Sequence, residues 1–544
     1  MPSRQNMRSQ RGVSLLVGTA SLVFIIPLVG LLVDVGVLYS AKARLQASVD
    51  GASLAAARAL NLGQTTDAQA SSAKQNAVNW FYANFPNGNW GTTNTQMSQS
   101  TVNVFDDPNN PRVRNVTVTA STNVPTYFMG WFGLASTAIS ATGNASRRDV
   151  VVMMVLDRSG SMSNAGACGT LIQAAKIFTG QFANGRDRIG LVSFSDNVYD
   201  IAPTTDFQTK LGYTNDLGSG TGEIDNITCK GGTSTAQAIS VAYNELYKTN
   251  LPGALNVIMF ETDGLPNTLT MNFWDSANNV AGIANGSGCL DANNKTKGAG
   301  GFATAAASTG RHWTTGQSLG TGSYYSDIPA GLVGAVASTD PGQSPSKYYL
   351  MLNYWATTES NSFNSTDYIY AASGCAFNST SANQFTTKTN NNVSPPPSDL
   401  AWFPATDVYG NQLNPPYTYL TVTTDASGHI KANSYTTYHN AVLNATDYAA
   451  YQARTNATLP VYFFGIGLGG TTTSPPDYVM MQRLANDPNG DNYNTPALYQ
   501  PCAQETNCVT YPDQPQGTFI FSSSPSSLSQ AFLSISSQVL RLSK

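Results

Sequence analysis

The feature that most constrains this chain is an uncharged apolar run near its amino end, from Val13 to Val33. A helix of about 20 such residues crosses the ~30 Å hydrocarbon core of a bilayer. Arg4, Arg8 and Arg11 precede the run, and positive charge of this kind stays on the cytoplasmic side. The sequence therefore predicts a cytoplasmic tail over 1–12, a single-pass transmembrane anchor over 13–39, and the bulk of the chain on the far side of the membrane.

A cleavable signal peptide is the alternative interpretation of the same run. Ala41 and Ala43 flank Lys42 in the small-x-small pattern of a cleavage site. The apolar part of a signal peptide, however, spans about 7–15 residues, and this run is longer. We therefore expect the anchor to be retained.

Beyond the anchor, apolar residues recur at helical spacing and predict that the helix continues to about residue 60. They are Leu38, Leu45, Val49, Ala52, Ala56 and Leu60. We assign 40–63 to a helical stalk. Its alanine content suits packing against other helices, but a plain spacer has the same composition, and the sequence leaves both open.

Residues 64–148 have the pattern of a small α+β domain. A helical stretch over 73–82 is followed by strand-like runs at 101–105 and 116–120. Phe128, Met129, Trp131 and Phe132 form an apolar cluster. We expect this cluster to be the core of the domain, with an exposed partner-binding patch as the alternative.

Composition excludes two classes of protein. A net charge of -4 argues against nucleic-acid binding, which needs a basic face, so we expect no nucleic acid among the partners. A hydrophobic content of 41% is too high for a wholly disordered chain. The six cysteines are even in number and lie outside the anchor, as expected in an oxidising compartment.

From residue 149 the pattern changes to alternating strands and amphipathic helices. Residues 149–156 read DVVVMMVL, in which Asp149 is followed by a continuous apolar run, typical of a strand that is buried on both faces of a parallel sheet. Helical patterns alternate with further strands at 188–194 and 255–260. This alternation predicts a Rossmann-like, doubly wound α/β domain.

Polar residues cluster where these strands end. Ligands in such sheets bind at the carboxyl ends of the strands, and the polar residues there are Asp157, Ser159, Ser161, Thr233 and Asp263. Two carboxylates and three hydroxyls, without imidazole or thiolate, form a hard oxygen set that favours Mg²⁺, with Ca²⁺ and Mn²⁺ as alternatives. Neutral hydroxyl ligands leave the cation poorly neutralised, so it would attract an acidic side chain from a protein partner.

These residues resemble the metal-ion-dependent adhesion site (MIDAS) of von Willebrand factor A (VWA) domains. The resemblance rests on D-x-S-x-S from Asp157 to Ser161, on Thr233 after Gly231-Gly232, and on Thr262-Asp263-Gly264. It implies that the three hydroxyls contact the metal directly and that both aspartates act mostly through water.

The rest of the VWA pattern comes late in the chain. Runs at 459–468 and 517–521 resemble the last two strands, and helical patterns cover 477–485 and 528–542. We therefore assign 149–269 and 457–544 to the VWA domain and 270–456 to an insertion rich in Ser, Thr, Asn and Tyr. Because the insertion begins just after Asp263, we hypothesise that it caps or extends the metal site.

In the proposed VWA fold the loops that carry Cys168 and Cys229 are neighbours, so these two cysteines would form a disulfide at the rim of the site. The simplest pairing of the others is Cys289 with Cys375 and Cys502 with Cys508.

The amino-terminal segment resembles Tad (tight adherence) pilus-assembly proteins of bacteria. The resemblance is carried by Arg11-Gly12, by the run 33–36 and by the run 44–52, and it extends to Arg147-Arg148 and the terminal 540–544. The combination of this anchor with a VWA domain is similar to the TadG-like branch. It implies a protein of the bacterial cytoplasmic membrane that assembles or anchors Flp-type pili together with other Tad components.

Two other functions are weighed against pilus assembly. One is a cell-surface adhesin that binds a host or matrix ligand through the metal site. The other is a metal-assisted hydrolase, but the predicted VWA segments contain no histidine, no G-x-S-x-G and no Walker loop. We therefore expect the protein not to be an enzyme.

Overall fold

The computed structural model divides into two compact units, residues 1–149 and 150–543. It describes residues 7–195, 198–213, 222–272, 290–291, 333–338, 348–351, 368–370, 402–403, 405–407, 409–415, 420–424, 430–431, 435–469, 476–488 and 514–543.

The first unit is built on one long helix, α1 (Met7–Ala59), which has 53 residues and is about 80 Å long at 1.5 Å per residue. From Leu16 to Val35 its large apolar side chains are exposed. From Ala41 to Leu60 one face of the helix is buried, in one hydrophobic cluster with α2 and the sheet of this unit, whereas Leu54 is 50% exposed. Residues 40–63, which the sequence suggested as a stalk, thus supply core to the small domain.

The remainder of the unit is a helix and a four-stranded antiparallel sheet in which β3 lies between β2 on one side and β4 on the other, with β1 paired to its distal end. Its elements are α2 (Thr66–Asn84), β1 (Thr93–Gln96), β2 (Val102–Asp106), β3 (Val113–Pro125) and β4 (Ser136–Arg148).

The aromatic cluster of this unit lies outside its core. Trp131 is 86% exposed and Phe132 is 75% exposed, both in the loop between β3 and β4. The expectation that this cluster forms the domain core is wrong for these two residues. Apolar content alone does not distinguish a core from an exposed patch.

The second unit is a doubly wound α/β domain. Its six-stranded sheet has the order β17-β16-β8-β5-β6-β7, parallel except for the edge strand β7. The elements are β5 (Val150–Asp157), α3 (Gly160–Asn164), α4 (Cys168–Thr179), β6 (Arg188–Phe194), β7 (Val198–Thr204), α5 (Phe207–Leu211), α6 (Thr235–Thr249), β8 (Leu255–Thr262), β9 (Thr268–Asn272), β10 (Leu290–Asp291), β11 (Val333–Ser338), β12 (Tyr348–Met351), β13 (Tyr368–Tyr370), β14 (Trp402–Phe403), β15 (Ile430–Lys431), α7 (Tyr435–Thr455), β16 (Tyr462–Leu468), α8 (Tyr478–Ala485), β17 (Thr518–Ser522) and α9 (Leu528–Leu542).

Both faces of this sheet are covered, as the apolar strands predicted. Side chains of β5 alternate between two hydrophobic clusters, Val152 and Met154 in one and Val151 and Met153 in the other, because successive side chains of a strand point to opposite faces. Helices α4 and α9 contribute to the first cluster, and α6, α7 and α8 to the second. The doubly wound prediction is therefore confirmed.

The carboxyl-terminal part of the predicted insertion belongs to this packing. Strand β9 starts a separate antiparallel sheet of order β10-β13-β12-β11-β9. Helix α7, however, buries Leu443, Ala449 and Ala453 in the core cluster on the α6 face. We therefore propose that the insertion ends before Tyr435 rather than at residue 456.

Candidate metal-binding site

Asp157 is the last residue of β5 and is fully buried. One carboxylate oxygen accepts the backbone N–H of Ser159 at 2.7 Å, and the other accepts the Thr262 hydroxyl at 2.5 Å. Both oxygens are thus held by neighbours on the two strand ends, which fixes the carboxylate in one orientation.

Ser159, Ser161 and Asp263 meet in a group of oxygen atoms. The two serine hydroxyls are 2.7 Å apart, and Asp263 Oδ1 lies 2.6 Å from Ser161 Oγ and 3.5 Å from Ser159 Oγ. The two serines belong to the turn after β5, and Asp263 belongs to the turn after β8. Parallel pairing of β5 with β8 brings these two turns together.

Thr233 reaches the same edge through its backbone. Gly160 donates its N–H to the Gly231 carbonyl at 2.9 Å, which ties the Gly-Gly-Thr turn to the serine turn. The Thr233 N–H donates to Asn267 Oδ1 at 2.7 Å. Among the described residues, no hydrogen bond joins the Thr233 hydroxyl to the other four predicted side chains, so the structure links four of the five directly.

Two supporting residues were not singled out from the sequence. Thr262 orients Asp157, and it could have been found because it belongs to the same Thr-Asp-Gly motif. Asn267 holds Thr233 at both its N–H and its carbonyl. It lies in an unremarkable Pro-Asn-Thr stretch, and no local signal identifies it.

A third carboxylate, Glu261 of β8, is fully buried beside the predicted pair. Neither of its oxygens makes a hydrogen bond of good geometry within the described part of the chain. Burial, and then the charges of Asp157 and Asp263, raise the pKa of Glu261 well above its ordinary value, while the backbone amide of Asp157 acts in the opposite direction. Burial and the Asp263 charge likewise raise the pKa of Asp157 to about 7.

This donor set fits a hard divalent cation. Buried carboxylates that raise one another's pKa are an electrostatic cost that a cation would offset. The oxygens are carboxylate and hydroxyl, the ligands of Mg²⁺ and Ca²⁺. No group of three or more His, Cys, Asp or Glu side chains converges as a metal-binding cluster within the described ranges. A site made mostly of hydroxyls does not require one.

A disulfide between Cys168 and Cys229 braces the rim of the site, as predicted. Cys168 begins α4, and Cys229 precedes Lys230, whose N–H donates to the Arg158 carbonyl at 2.8 Å. The bond thereby ties the serine turn to the segment that leads into Thr233. The other two predicted pairs, Cys289–Cys375 and Cys502–Cys508, lie outside the described residues.

Segments from the predicted insertion contact the helix that follows Thr233. Gln237 of α6 donates its side-chain N–H to the Tyr409 hydroxyl at 2.9 Å. Asn411 donates to Ser240 Oγ at 2.8 Å, and the Tyr438 hydroxyl donates to the Asn267 carbonyl at 3.1 Å. Residues far along the chain thus support the elements that position Thr233.

Comparison with known families agrees with this geometry. Residues 152–265 match the von Willebrand factor type A domain family. Residues 12–59 match the Flp pilus-assembly TadE/G-like family. The chain joins a TadE/G-like segment to a VWA domain. The VWA match covers the strand ends that carry all five predicted side chains, and the TadE/G-like match covers nearly all of α1.

Three of the solved structures similar to the chain come from pili, and all three are distant. The pilus adhesin SpaC from Lactobacillus rhamnosus GG has 12% identity and a TM-score of 0.33, with 81% of this chain and 36% of that chain covered. The PilB minor pilin from Streptococcus sanguinis has 11% identity and a TM-score of 0.30, covering 84% of this chain and 80% of that one. The vWF domain of the type V pili tip protein Mfa5 from Porphyromonas gingivalis has 13% identity and a TM-score of 0.30, with 74% of this chain and 98% of that chain covered.

The chain thus spans about a third of the SpaC chain. No protein with a curated functional description matches it.

Proposed function

We propose that this protein is anchored in the bacterial cytoplasmic membrane by α1 and assembles or anchors Tad/Flp-type pili by binding a protein partner through a divalent cation. The amino terminus lies in the cytoplasm and the VWA domain outside it. The partner offers an acidic side chain to the cation, and other Tad components are its partners.

The observation that carries this proposal is that one chain contains both a TadE/G-like helix and a group of carboxylate and hydroxyl oxygens at the strand ends of a VWA domain. One helix is long and apolar enough to cross a membrane. Carboxylate and hydroxyl oxygens at these strand ends suit cation-mediated binding rather than catalysis.

Ser159, Ser161 and Thr233 would hold the cation, Mg²⁺ by preference or else Ca²⁺ or Mn²⁺, with Asp157 and Asp263 acting mostly through water. When bound, the cation supplies a positive centre that recognises a partner carboxylate. Asp157 is already engaged by Ser159 and Thr262, so its role is to orient the serine turn. The disulfide and Asn267 keep the other turn in register with it.

The test is a deletion strain complemented with the wild type, Asp263→Asn or Ser161→Ala, and imaged for pili by electron microscopy. We expect pili to be lost with both variants and present with the wild type. Ser163→Ala is the matched control, because Ser163 is an exposed serine two residues from Ser161. Immunoblots of membranes establish that each variant is present, and calorimetric Mg²⁺ titration of the purified full chain in detergent establishes whether the cation site is lost.

A surface adhesin is the second candidate function, because Tyr409 and Asn411 of the insertion contact the helix that follows Thr233. Under that function the same variants would leave pili intact and abolish attachment of cells to their ligand. Pili that persist while Mg²⁺ binding and attachment are both unchanged would contradict both functions.

A further inference from the structure

The loop between β3 and β4, residues 126–135, is bound to the side of α1. The carboxylate of Asp34 accepts three successive backbone N–H groups from this loop: Tyr127 at 2.7 Å, Phe128 at 2.9 Å and Met129 at 2.7 Å. Asp34 is fully buried. A buried carboxylate with three donors is a fixed attachment point.

A second contact lies one turn earlier on α1, at Gly30. A Cβ added to Gly30 would lie 2.4 Å from the aromatic ring of Phe128. The ring therefore lies directly on the helix backbone, and only glycine leaves room for it. Gly30 lies inside the apolar run of the anchor.

Contacts between β4 and α1 show that the loop lies at the end of the small domain that is nearest the apolar run of α1. Toward the carboxyl end of α1, Lys42 contacts the Ser140 carbonyl, and Gln46 donates to the Thr142 carbonyl at 2.9 Å. Further along, Gly143 lies against Val49 and Asp50. Toward the amino end of α1, the ring of Phe128 lies against Gly30. Gly30 precedes Asp34 by four positions, so the Phe128 ring lies about 6 Å further into the apolar run than Asp34, the first charged residue after it.

The loop exposes apolar side chains at that level. Trp131 and Phe132 are largely exposed, and Tyr127 and Leu134 are more than half exposed. No charged residue occurs between Arg114 and Arg147. On a soluble domain such a patch is a cost, but tryptophan and tyrosine are enriched where a membrane protein meets the bilayer interface.

We propose that the β3–β4 loop is a membrane foot, which inserts Trp131 and Phe132 into the outer leaflet of the bilayer that α1 crosses. The proposal rests on the membrane anchoring in the proposed function. Lipid is favoured over a protein partner because the foot is fixed to α1 at a depth where lipid already surrounds the exposed side chains of the helix. Together with Asp34 and Gly30, the foot sets the small domain at a fixed height on the membrane surface.

The test uses the full chain in phosphatidylcholine–phosphatidylglycerol vesicles. Tryptophan fluorescence is quenched either by lipids brominated near the headgroup end of their acyl chains or by aqueous iodide. We expect Trp131→Phe to remove most of the bromolipid-quenched emission. Trp80→Phe is the matched control: Trp80 lies against Gly51 of α1, about 25 Å beyond Asp34, and its loss should leave the bromolipid-quenched emission unchanged.

A second variant tests the attachment. Asp34→Ala removes the acceptor for the three loop N–H groups, and we expect it to lower bromolipid quenching of the Trp131 emission at least twofold. Trp131 and Phe132 are exposed, so the Trp131 variant should fold as the wild type does, and circular dichroism verifies this.

Emission from Trp131 that is quenched by iodide and not by bromolipid would overturn the proposal. Emission from Trp131 that neither quencher reaches would also overturn it, because the loop would then be covered by protein, which in this sample is the chain itself. Flotation of the vesicles separates this outcome from failure of the proposed function. Protein that floats with an unquenched Trp131 disproves the foot alone, whereas protein that does not float disproves the anchor as well.

Discussion

Asp157, Glu261 and Asp263 place three buried carboxylates at the ends of two adjacent strands. Burial and mutual repulsion raise the pKa of Asp157 to about 7, from an ordinary value of 3.8. Between these values the folded, metal-free protein holds a proton that the unfolded chain releases.

The first prediction concerns this proton. In EDTA, the contribution of Asp157 to the free energy of unfolding should fall as pH rises from about 4 to about 7 and then level off, because the folded state loses the proton that favoured it. The ceiling on the Asp157 contribution is about 4 kcal/mol, since one pKa unit corresponds to about 1.4 kcal/mol. Urea unfolding of the full chain in detergent at several pH values measures it.

The control is Asp157→Asn, which should show a shallower fall than the wild type over the same window. Saturating Mg²⁺ should restore stability above pH 7, where the Asp157 carboxylate is ionised and can act on the cation. A wild-type stability in EDTA that rose with pH across the window, relative to Asp157→Asn, would contradict the raised pKa.

The second prediction concerns Gly30. Gly30→Ala should displace the Phe128 ring and destabilise the small domain by about 1–3 kcal/mol, the usual cost of overpacking. Gly36→Ala is the matched control on the same helix, because no atom lies within 4 Å of its added Cβ and alanine favours helix over glycine. Thermal unfolding in detergent followed by near-ultraviolet circular dichroism compares them. Equal melting temperatures would contradict the Phe128–Gly30 packing.

At the scale of elements, the disulfide joins the start of α4 to the turn before α6. A cross-link stabilises mainly by restricting the unfolded chain, and this one closes a loop with a sequence separation of 61. It therefore stabilises the second unit while it holds the two turns that carry Ser161 and Thr233 in register.

The third prediction follows from that cross-link. Replacing both Cys168 and Cys229 with serine should lower the free energy of unfolding by up to about 4 kcal/mol, from the loop-closure entropy of a loop this long. It should also weaken Mg²⁺ binding, because the rim of the site loosens. The readouts are urea unfolding and Mg²⁺ titration of the full chain. Unchanged values for both would show that the bond has neither role.

Helix α7 is the element on which the proposed end of the insertion depends. Its sequence is polar enough to pass for part of the Ser- and Thr-rich insertion, yet Leu443, Ala449 and Ala453 fill the core on the α6 face. A single alanine does not indicate from the sequence whether its position is buried or exposed. Their role emerges only when α6 and α7 are brought together.

At the scale of the whole molecule, the fourth prediction separates the insertion from the VWA domain. Replacing 273–404 with a flexible linker of about 20 Gly and Ser residues should leave a folded VWA domain, because Tyr409, Asn411 and α7 remain. Deleting 270–456 entirely should unfold it, because α7 is part of the core. Limited proteolysis and circular dichroism compare the two chains. Equal stability of both deletions would contradict the proposed boundary.

Much of the candidate site was predictable because its motifs are local. Asp157, Ser159 and Ser161 follow one apolar strand, and Asp263 follows another. Parallel strands in a doubly wound sheet bring such ends to one edge. Asn267 and Glu261 could not be chosen in the same way, since their roles depend on which distant segments lie beside them.

The sequence by itself determined the long apolar helix and the order of strands and helices in the VWA domain, because periodicity and motif spacing are properties of neighbouring residues. The Cys168–Cys229 pair followed from that order. Only the tertiary structure decided where buried and exposed surfaces fall. It placed the 41–60 segment and α7 in hydrophobic cores, and it left Trp131 and Phe132 outside one. Burial depends on contacts between segments far apart in the chain, and apolar residues look alike in sequence whether they face protein or lipid.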